Sequence, residues 1–252
     1  MTNFPETWWQ ANRPLIFAHR GVNHAVPENT LSAFRRAVDV GADGVELDVH
    51  LTRDGVPVVI HDETVDATTD GTGRVTEMTL SEVKALDAGA YVDPAFAGTR
   101  VPTLEEVLAE IGHQLLVNIE LKPAGGRNVG LAPAVVGVVR QMGLEDRVWF
   151  SSFKPHHLFQ ARQSSSMIPC GLLYSPLNPL TPLFRLFTPH DALHPYHRMI
   201  TPKLVERAHA CRLRVSTWTV DDVATARRLA DWGVDAVITN EPERLLTAFN
   251  AE

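Results

Sequence analysis

With 44% hydrophobic and 21% charged residues in 252, the chain has ample apolar content for one large core and none of the bias of a disordered polypeptide. Its formal charge of −7, without any run of Lys or Arg, excludes the basic surface that nucleic-acid binding requires. Two cysteines, Cys170 and Cys211, form neither a CxxC pair nor a Cys/His ligand spacing, which argues against a disulfide framework or a zinc site. No stretch approaches the ~20 apolar residues of a membrane span. Residues Met1 to Pro14 lack a basic start followed by an apolar run, so a cytoplasmic location is expected.

Short apolar runs alternate with helical patterns along the chain, the order of repeated βα units. A strand over Leu15 to His19 precedes a helix over Asn29 to Val40, in which Leu31, Phe34, Ala37 and Val38 fall at helical spacing and Gly41 supplies the stop. The second strand begins at Gly44 and runs through Val45-Glu46-Leu47-Asp48-Val49. Between Leu51 and Pro102 no long helix is predicted. Arg53-Asp54-Gly55, Val56 to His61 and Asp70-Gly71-Thr72-Gly73 instead read as a small insertion of a hairpin and turns over the active face.

A helix over Leu104 to Ile111 leads to a strand over Gln114 to Glu120 and a helix over Pro133 to Met142. Further strands are predicted at Arg147 to Phe150, Cys170 to Tyr174, Ala192 to His194, Arg214 to Trp218 and Ala236 to Thr239. Helices are predicted at Pro155 to Gln163, Pro202 to His209, Val223 to Trp232 and Glu241 to Phe249. Eight strands with intervening helices are the count that closes a parallel (β/α)₈ TIM barrel, here as a single domain over 1–252 with an insertion at about 51–102. From Tyr174 to Ile200, Pro176, Pro179, Pro182, Pro189 and Pro195 exclude a long regular helix. The Leu177, Leu180, Leu183, Phe184, Leu186 and Phe187 among them either pack over the barrel mouth or offer a lipid contact.

Two short motifs concentrate the chemistry. Side chains alternate along a strand, so Glu46 and Asp48 share one face, as do Glu120 and Lys122. Buried carboxylates must be neutralised, and three of them at strand ends suggest a divalent cation held by oxygen ligands. His19 and His61 beside them suggest acid/base chemistry. In a barrel the C-terminal strand ends build the active site, where His19, Glu46, Asp48, Glu120, Lys122 and Trp218 fall.

Taken in order, His19-Arg20-Gly21, Pro27-Glu28-Asn29-Thr30, Gly41 through Val49, Thr52-Arg53-Asp54-Gly55 and His61-Asp62 closely resemble the glycerophosphodiester phosphodiesterase family. Glu120-Leu121-Lys122 and Trp218-Thr219-Val220 continue the resemblance, which is dense from Leu15 to Asp62 and extends to Leu246. It implies a (β/α)₈ barrel with an insertion after the second strand. It also implies hydrolysis of a glycerophosphodiester, a small-molecule substrate of lipid and glycerol metabolism, to glycerol 3-phosphate and an alcohol with a divalent metal. By motif position Glu46, Asp48 and Glu120 would bind that metal, and His19 and His61 would be the acid/base pair. Carboxylate oxygens suit Mg²⁺ or Ca²⁺, whereas histidine ligands would have favoured a transition metal.

Arg20 and Lys122 are the candidates for phosphate contact, and Trp218 for an apolar wall against the glycerol carbons. Glu28 reads either as a hydrogen-bonding support for these groups or as an acid at a helix N-terminus. One difficulty is geometric: adjacent residues on a regular strand face opposite ways, so His19 and Arg20 can both reach the site only if the strand ends there, which Gly21 permits. Two other functions compete. One is a lysophospholipase D-type hydrolysis, with the Pro-rich stretch gripping an acyl chain. The other is a barrel that binds phosphate ligands without turnover.

Overall fold

The computed structural model describes residues 3–24, 26–122, 130–177 and 185–251. Eight parallel strands close into a barrel: β1 (Leu15–His19), β2 (Gly44–Leu51), β4 (Leu116–Leu121), β5 (Val148–Ser152), β6 (Cys170–Tyr174), β7 (Ala192–Pro195), β8 (Arg214–Thr217) and β9 (Ala236–Thr239). Closure comes from β1, which pairs with β2 on one side and with β9 on the other. Helices α1 (Leu31–Asp39), α3 (Leu104–Ile111), α4 (Leu131–Gln141), α5 (Pro155–Ser164), α6 (Pro202–Ala210), α7 (Val223–Asp231) and α8 (Pro242–Asn250) follow or precede the strands. The architecture is the TIM barrel that the alternating pattern predicts.

Alternation along the strands decides what faces where. Val45, Leu47 and Val49 of β2, with Val117, Ile119 and Leu121 of β4, point outward into one apolar cluster with Phe34 and Ala37 of α1 and Leu104, Val107 and Leu108 of α3. Their neighbours Glu46, Asp48, Asn118 and Glu120 point inward and are equally buried. Burial on both faces is the ordinary condition of a parallel sheet covered by helices. Here it leaves the polar inward face to be satisfied inside the barrel.

The barrel end opposite the site is closed by residues near the amino terminus. Phe4, Trp8 and Trp9 pack on Trp149, which stacks on Phe17 at 4.9 Å between ring centroids. Trp8 Nε1 also donates to the Asp146 carbonyl at 3.0 Å, fixing the plug to the entrance of β5. Sequence pattern assigns no role to these aromatics, because their partner lies some 140 residues further along the chain.

Between β2 and α3 the chain forms a substructure with its own small core of Val58, Ile60, Val65, Val75, Val83 and Val101. Its strand β3 (Pro57–Val59) pairs antiparallel with the end of β2, Val49 opposite Val59. It also contains a six-residue helix, α2 (Leu80–Ala85), where a hairpin and turns alone are expected. The cause is local: Thr79 and Glu82 form a capping box, each side chain satisfying a backbone N–H that the first turn leaves free. The same motif starts α3. Glu106 N donates to Thr103 Oγ1 at 3.1 Å, and Thr103 N donates to Glu106 Oε2 at 2.8 Å. Thr103→Ala is therefore expected to cost about 1 kcal/mol, read as a lower urea midpoint with an unchanged denaturant slope.

Of the Pro-rich stretch, Pro179, Leu180, Pro182, Leu183 and Phe184 lie outside the described residues. Leu177, Leu186 and Phe187 are exposed, whereas Tyr174, Thr188 and Asp191 are buried. No helix among the described residues is long and apolar enough to cross a membrane.

Candidate active site

The strand ends converge on a cavity of about 140 Å³ lined by His19, Arg20, Glu46, Asp48, His61 and Glu120, with Lys122 and Trp218 completing its rim. Consecutive His19 and Arg20 both reach it because β1 stops at His19. Arg20 then adopts a left-handed φ of 57° and Gly21 one of 78°. A Cβ on Gly21 would lie 2.7 Å from Ala33, so the turn has room only for glycine. A non-glycine residue at positive φ costs on the order of 1–3 kcal/mol. The Arg20 turn is held by its backbone N–H, which donates to the Glu46 carbonyl at 2.8 Å.

Register brings the acids together. Asp48 pairs with Glu120 and Glu46 with Asn118 across β2 and β4. Glu46, Asp48 and Glu120 each offer a carboxylate oxygen within 4.8 Å of the others. Lys122 Nζ lies 3.1 Å from Glu120 Oε1 and 3.3 Å from Asp48 Oδ1, and Arg20 Nε lies 3.4 Å from Asp48 Oδ2. Arg20 Nη1 donates to Glu28 Oε1 at 2.8 Å, so Glu28 holds the guanidinium rather than capping a helix. The cap of α1 is Thr30.

The acids do not share these cations equally. Burial raises the Asp48 carboxyl pKa, but Lys122 and Arg20 outweigh it and hold the group well below its ordinary range. Glu46 is served more weakly: its Oε2 accepts from the Arg20 backbone N–H at 3.3 Å and lies 3.9 Å from His19 Nε2, and the pull of Arg20 and Lys122 is outweighed. Burial, then the charges of Asp48 and Glu120, push its carboxyl well above the usual value. Burial also raises Glu120, against the pull of Lys122. With all three carboxylates ionised, the two cationic side chains would leave the cavity lining one formal negative charge. That donor set fits a hard divalent cation, which would turn the balance to one positive charge, the complement of a phosphodiester monoanion.

Two imidazoles flank the acids. Burial, followed by the Arg20 charge, lowers the His19 pKa, with a hydrogen bond to Asn240 opposing. His61 follows β3, and its Nδ1 lies 2.6 Å from Asp62 Oδ1. Trp218 stands against Phe153, ring centroids 5.5 Å apart and nearly perpendicular, and its Nε1 donates to the His194 carbonyl at 2.9 Å. A second, more open cavity of about 300 Å³ shares His61, Glu120, Lys122 and Phe153 with the first.

The sequence profile described as the glycerophosphoryl diester phosphodiesterase family matches residues 19–244. The chain belongs to this family. A glycerophosphodiester phosphodiesterase of Caldanaerobacter subterraneus subsp. tengcongensis is 42% identical over 237 residues, covering 93% of this chain and 97% of the relative. One of Bacillus subtilis is 31% identical over 250 residues, covering 92% and 85% respectively. A phosphodiesterase of Oleispira antarctica, solved in complex with the product sn-glycerol-3-phosphate, superposes with a TM-score of 0.88 at 31% identity over 94% of this chain and 97% of that one.

All nine residues singled out in the sequence of this family member gather at one barrel mouth: eight line the cavity, and Glu28 stands behind Arg20. Sequence reasoning passed over several neighbours. Asn29, in a left-handed conformation with φ 55°, turns its side chain from the helix it precedes and donates to Asp48 Oδ2 at 2.9 Å. Asn118 and Ser151 line the cavity wall, and their buried side-chain polar atoms have no hydrogen-bond partner among the described residues. Asn118 could have been found: it precedes Glu120 and Lys122 at the same period of two. His194 ends up fully buried behind Trp218, where burial pushes its pKa down to about 3.

Proposed function

We propose that this chain is a metal-dependent phosphodiesterase that hydrolyses glycerophosphodiesters to glycerol 3-phosphate and an alcohol. The observation that carries the reading is the meeting, in one cavity, of two imidazoles, two cationic side chains and three crowded acids. Glu46, Asp48 and Glu120 would hold Mg²⁺ or Ca²⁺, because all three offer carboxylate oxygens. The cation would supply electrostatic stabilisation of the charge that develops on the phosphoryl oxygens.

The remaining roles fall to the side chains. Arg20 and Lys122 orient the phosphodiester and offset its charge, which otherwise repels an incoming nucleophile. His19, kept neutral by burial, accepts the proton of the nucleophile, either water or the 2-hydroxyl of the substrate itself, which would form a cyclic phosphate that a water then opens to glycerol 3-phosphate. His61, steadied by Asp62, delivers a proton to the departing alkoxide. Trp218 and Phe153 give the glycerol carbons an apolar wall. The second cavity, which His61 also lines, leaves room for the alcohol, the part of the substrate that varies.

The test compares glycerophosphocholine with lysophosphatidylcholine at equal concentration, with product identified by an enzymatic assay for glycerol 3-phosphate. The expected result is a kcat/KM at least about 10-fold higher for glycerophosphocholine, roughly the 1.4 kcal/mol that a lost fit contributes. Preference for the acylated substrate would instead assign the chain a lysophospholipase D-type activity. Binding without turnover of either would make it a phosphate-ligand-binding barrel.

A further inference from the structure

We propose that Asp221 and Asn240 are positioning residues which fix the proton of His19 on Nδ1 and so leave Nε2 as the nitrogen that can accept one. The proposal rests on the reading of His19 as the base, and it extends that reading to residues on two other strand ends. Asn240 follows β9, and Asp221 lies in the segment between β8 and α7. The chain of contacts therefore runs across β8, β9 and β1, where the barrel closes.

His19 Nδ1 lies 2.8 Å from Asn240 Oδ1. A carboxamide can present either oxygen or nitrogen to an imidazole, and the two choices select opposite tautomers. The choice is made one residue further out. A carboxylate only accepts hydrogen bonds, and the Asp221 carboxylate takes two from Asn240: Nδ2 donates to Oδ2 at 2.9 Å and the backbone N–H donates to Oδ1 at 2.8 Å. Thr239 Oγ1 adds a third at 3.1 Å. With Nδ2 committed to Asp221, the amide oxygen must face His19.

A second anchor acts in the same sense. Asn23 Nδ2 donates to the His19 carbonyl at 3.1 Å, and a backbone carbonyl can only accept. The same nitrogen donates to Asn240 Oδ1 at 3.2 Å, which again identifies that atom as the oxygen. Two acceptor-only groups, one a side chain and one main chain, thus agree on the orientation of Asn240. An oxygen facing Nδ1 requires a proton on Nδ1. In the neutral ring the lone pair then sits on Nε2, the nitrogen 3.9 Å from Glu46 Oε2 at the cavity. The other tautomer would present an N–H there and could not act as a base. Loss of tautomer control at a catalytic imidazole costs up to about 10⁴-fold in turnover.

The test reads the tautomer directly, in the whole protein without substrate, from the ¹⁵N chemical shifts of the His19 ring. Expected in the unaltered protein is a protonated Nδ1 and an unprotonated Nε2. Asn240→Asp keeps an acceptor opposite Nδ1 and should preserve that pattern, although it sets a carboxylate oxygen where Nδ2 donates to Asp221 and so lowers turnover. Asn240→Leu and Asp221→Ala should shift the ring toward the Nε2–H form and lower kcat about 10- to 100-fold, the scale for partners that orient a functional histidine, with KM changed less than about 3-fold. An Nε2–H ring in the unaltered protein, or a tautomer that neither Asn240→Leu nor Asp221→Ala moves, overturns the proposal. If Asn240→Leu fails to fold, Asp221→Ala combined with Asn23→Ala, which removes both anchors of Asn240, carries the test. The expected tautomers together with near-normal turnover of His19→Ala would uphold the hydrogen-bonded chain and remove only the role of His19 as base.

Discussion

Replacing His19 or His61 by alanine is expected to lower kcat at least about 10²-fold in each case, the ordinary scale of lost acid/base catalysis, while the unfolding midpoint stays nearly unchanged. The separation of the two effects follows from placement. The His19 and His61 side chains are 19% and 32% exposed, so their removal opens no sealed cavity in a core. Their hydrogen-bond partners Asn240 and Asp62 remain partly accessible to water. The pH dependence gives a second check. Burial and the neighbouring Arg20 lower the His19 pKa, so its neutral form persists into more acidic solution than that of a free histidine. The acidic limb of kcat/KM is thus expected below about 6.5. Near-normal turnover in either alanine variant would remove the corresponding histidine from the reaction.

Much of the barrel was legible because strand and helix periods are local properties. Cys170–Tyr174, Ala236–Thr239 and Leu104–Ile111 appear in the structure with the bounds read from sequence. The pairing of Glu46 with Asp48 and of Glu120 with Lys122 on shared faces is equally local, since alternation needs no knowledge of the neighbouring strand. What depends on the neighbour was not legible. Asn118 stands beside Glu46 only through the register of β4 on β2, and Asp221 meets Asn240 only because β8 lies beside β9. Asn29 was read as the start of a helix, but its left-handed backbone sends the side chain to Asp48. The capping box of α2 was present as Thr79 and Glu82, and the reading of that segment as turns passed over it.

The acids are expected to answer to substitution with opposite signs, although they sit two residues apart on one strand. Chelation with EDTA should abolish turnover and Mg²⁺ or Ca²⁺ restore it, whereas restoration by Zn²⁺ alone would contradict a site built from carboxylate oxygens. Glu46→Gln and Asp48→Asn should each lower kcat at least about 10²-fold, because the electrostatic help of a metal is several kcal/mol and each 1.36 kcal/mol is tenfold in rate. Stability of the chelated protein separates the two. The Glu46 pKa is raised in the fold, so its contribution is favourable at acid pH and is lost as pH rises through that raised value. At neutral pH Glu46→Gln therefore relieves repulsion from Asp48 and Glu120 and should raise the chelated midpoint. That advantage shrinks as pH falls through the raised value and is gone below the ordinary glutamate value of about 4.3. The Asp48 pKa is depressed by Lys122 and Arg20 despite burial, so its contribution is present above the ordinary aspartate value and is lost only as pH falls through the depressed one. Asp48→Asn leaves both cations short of a partner and should destabilise the chelated protein at neutral pH by on the order of 3 kcal/mol. Added Mg²⁺ or Ca²⁺ should stabilise the unaltered protein more than Glu46→Gln, because the ion relieves the same repulsion that the substitution removes. Equal thermal shifts with metal in the two proteins would mean that Glu46 is not a ligand.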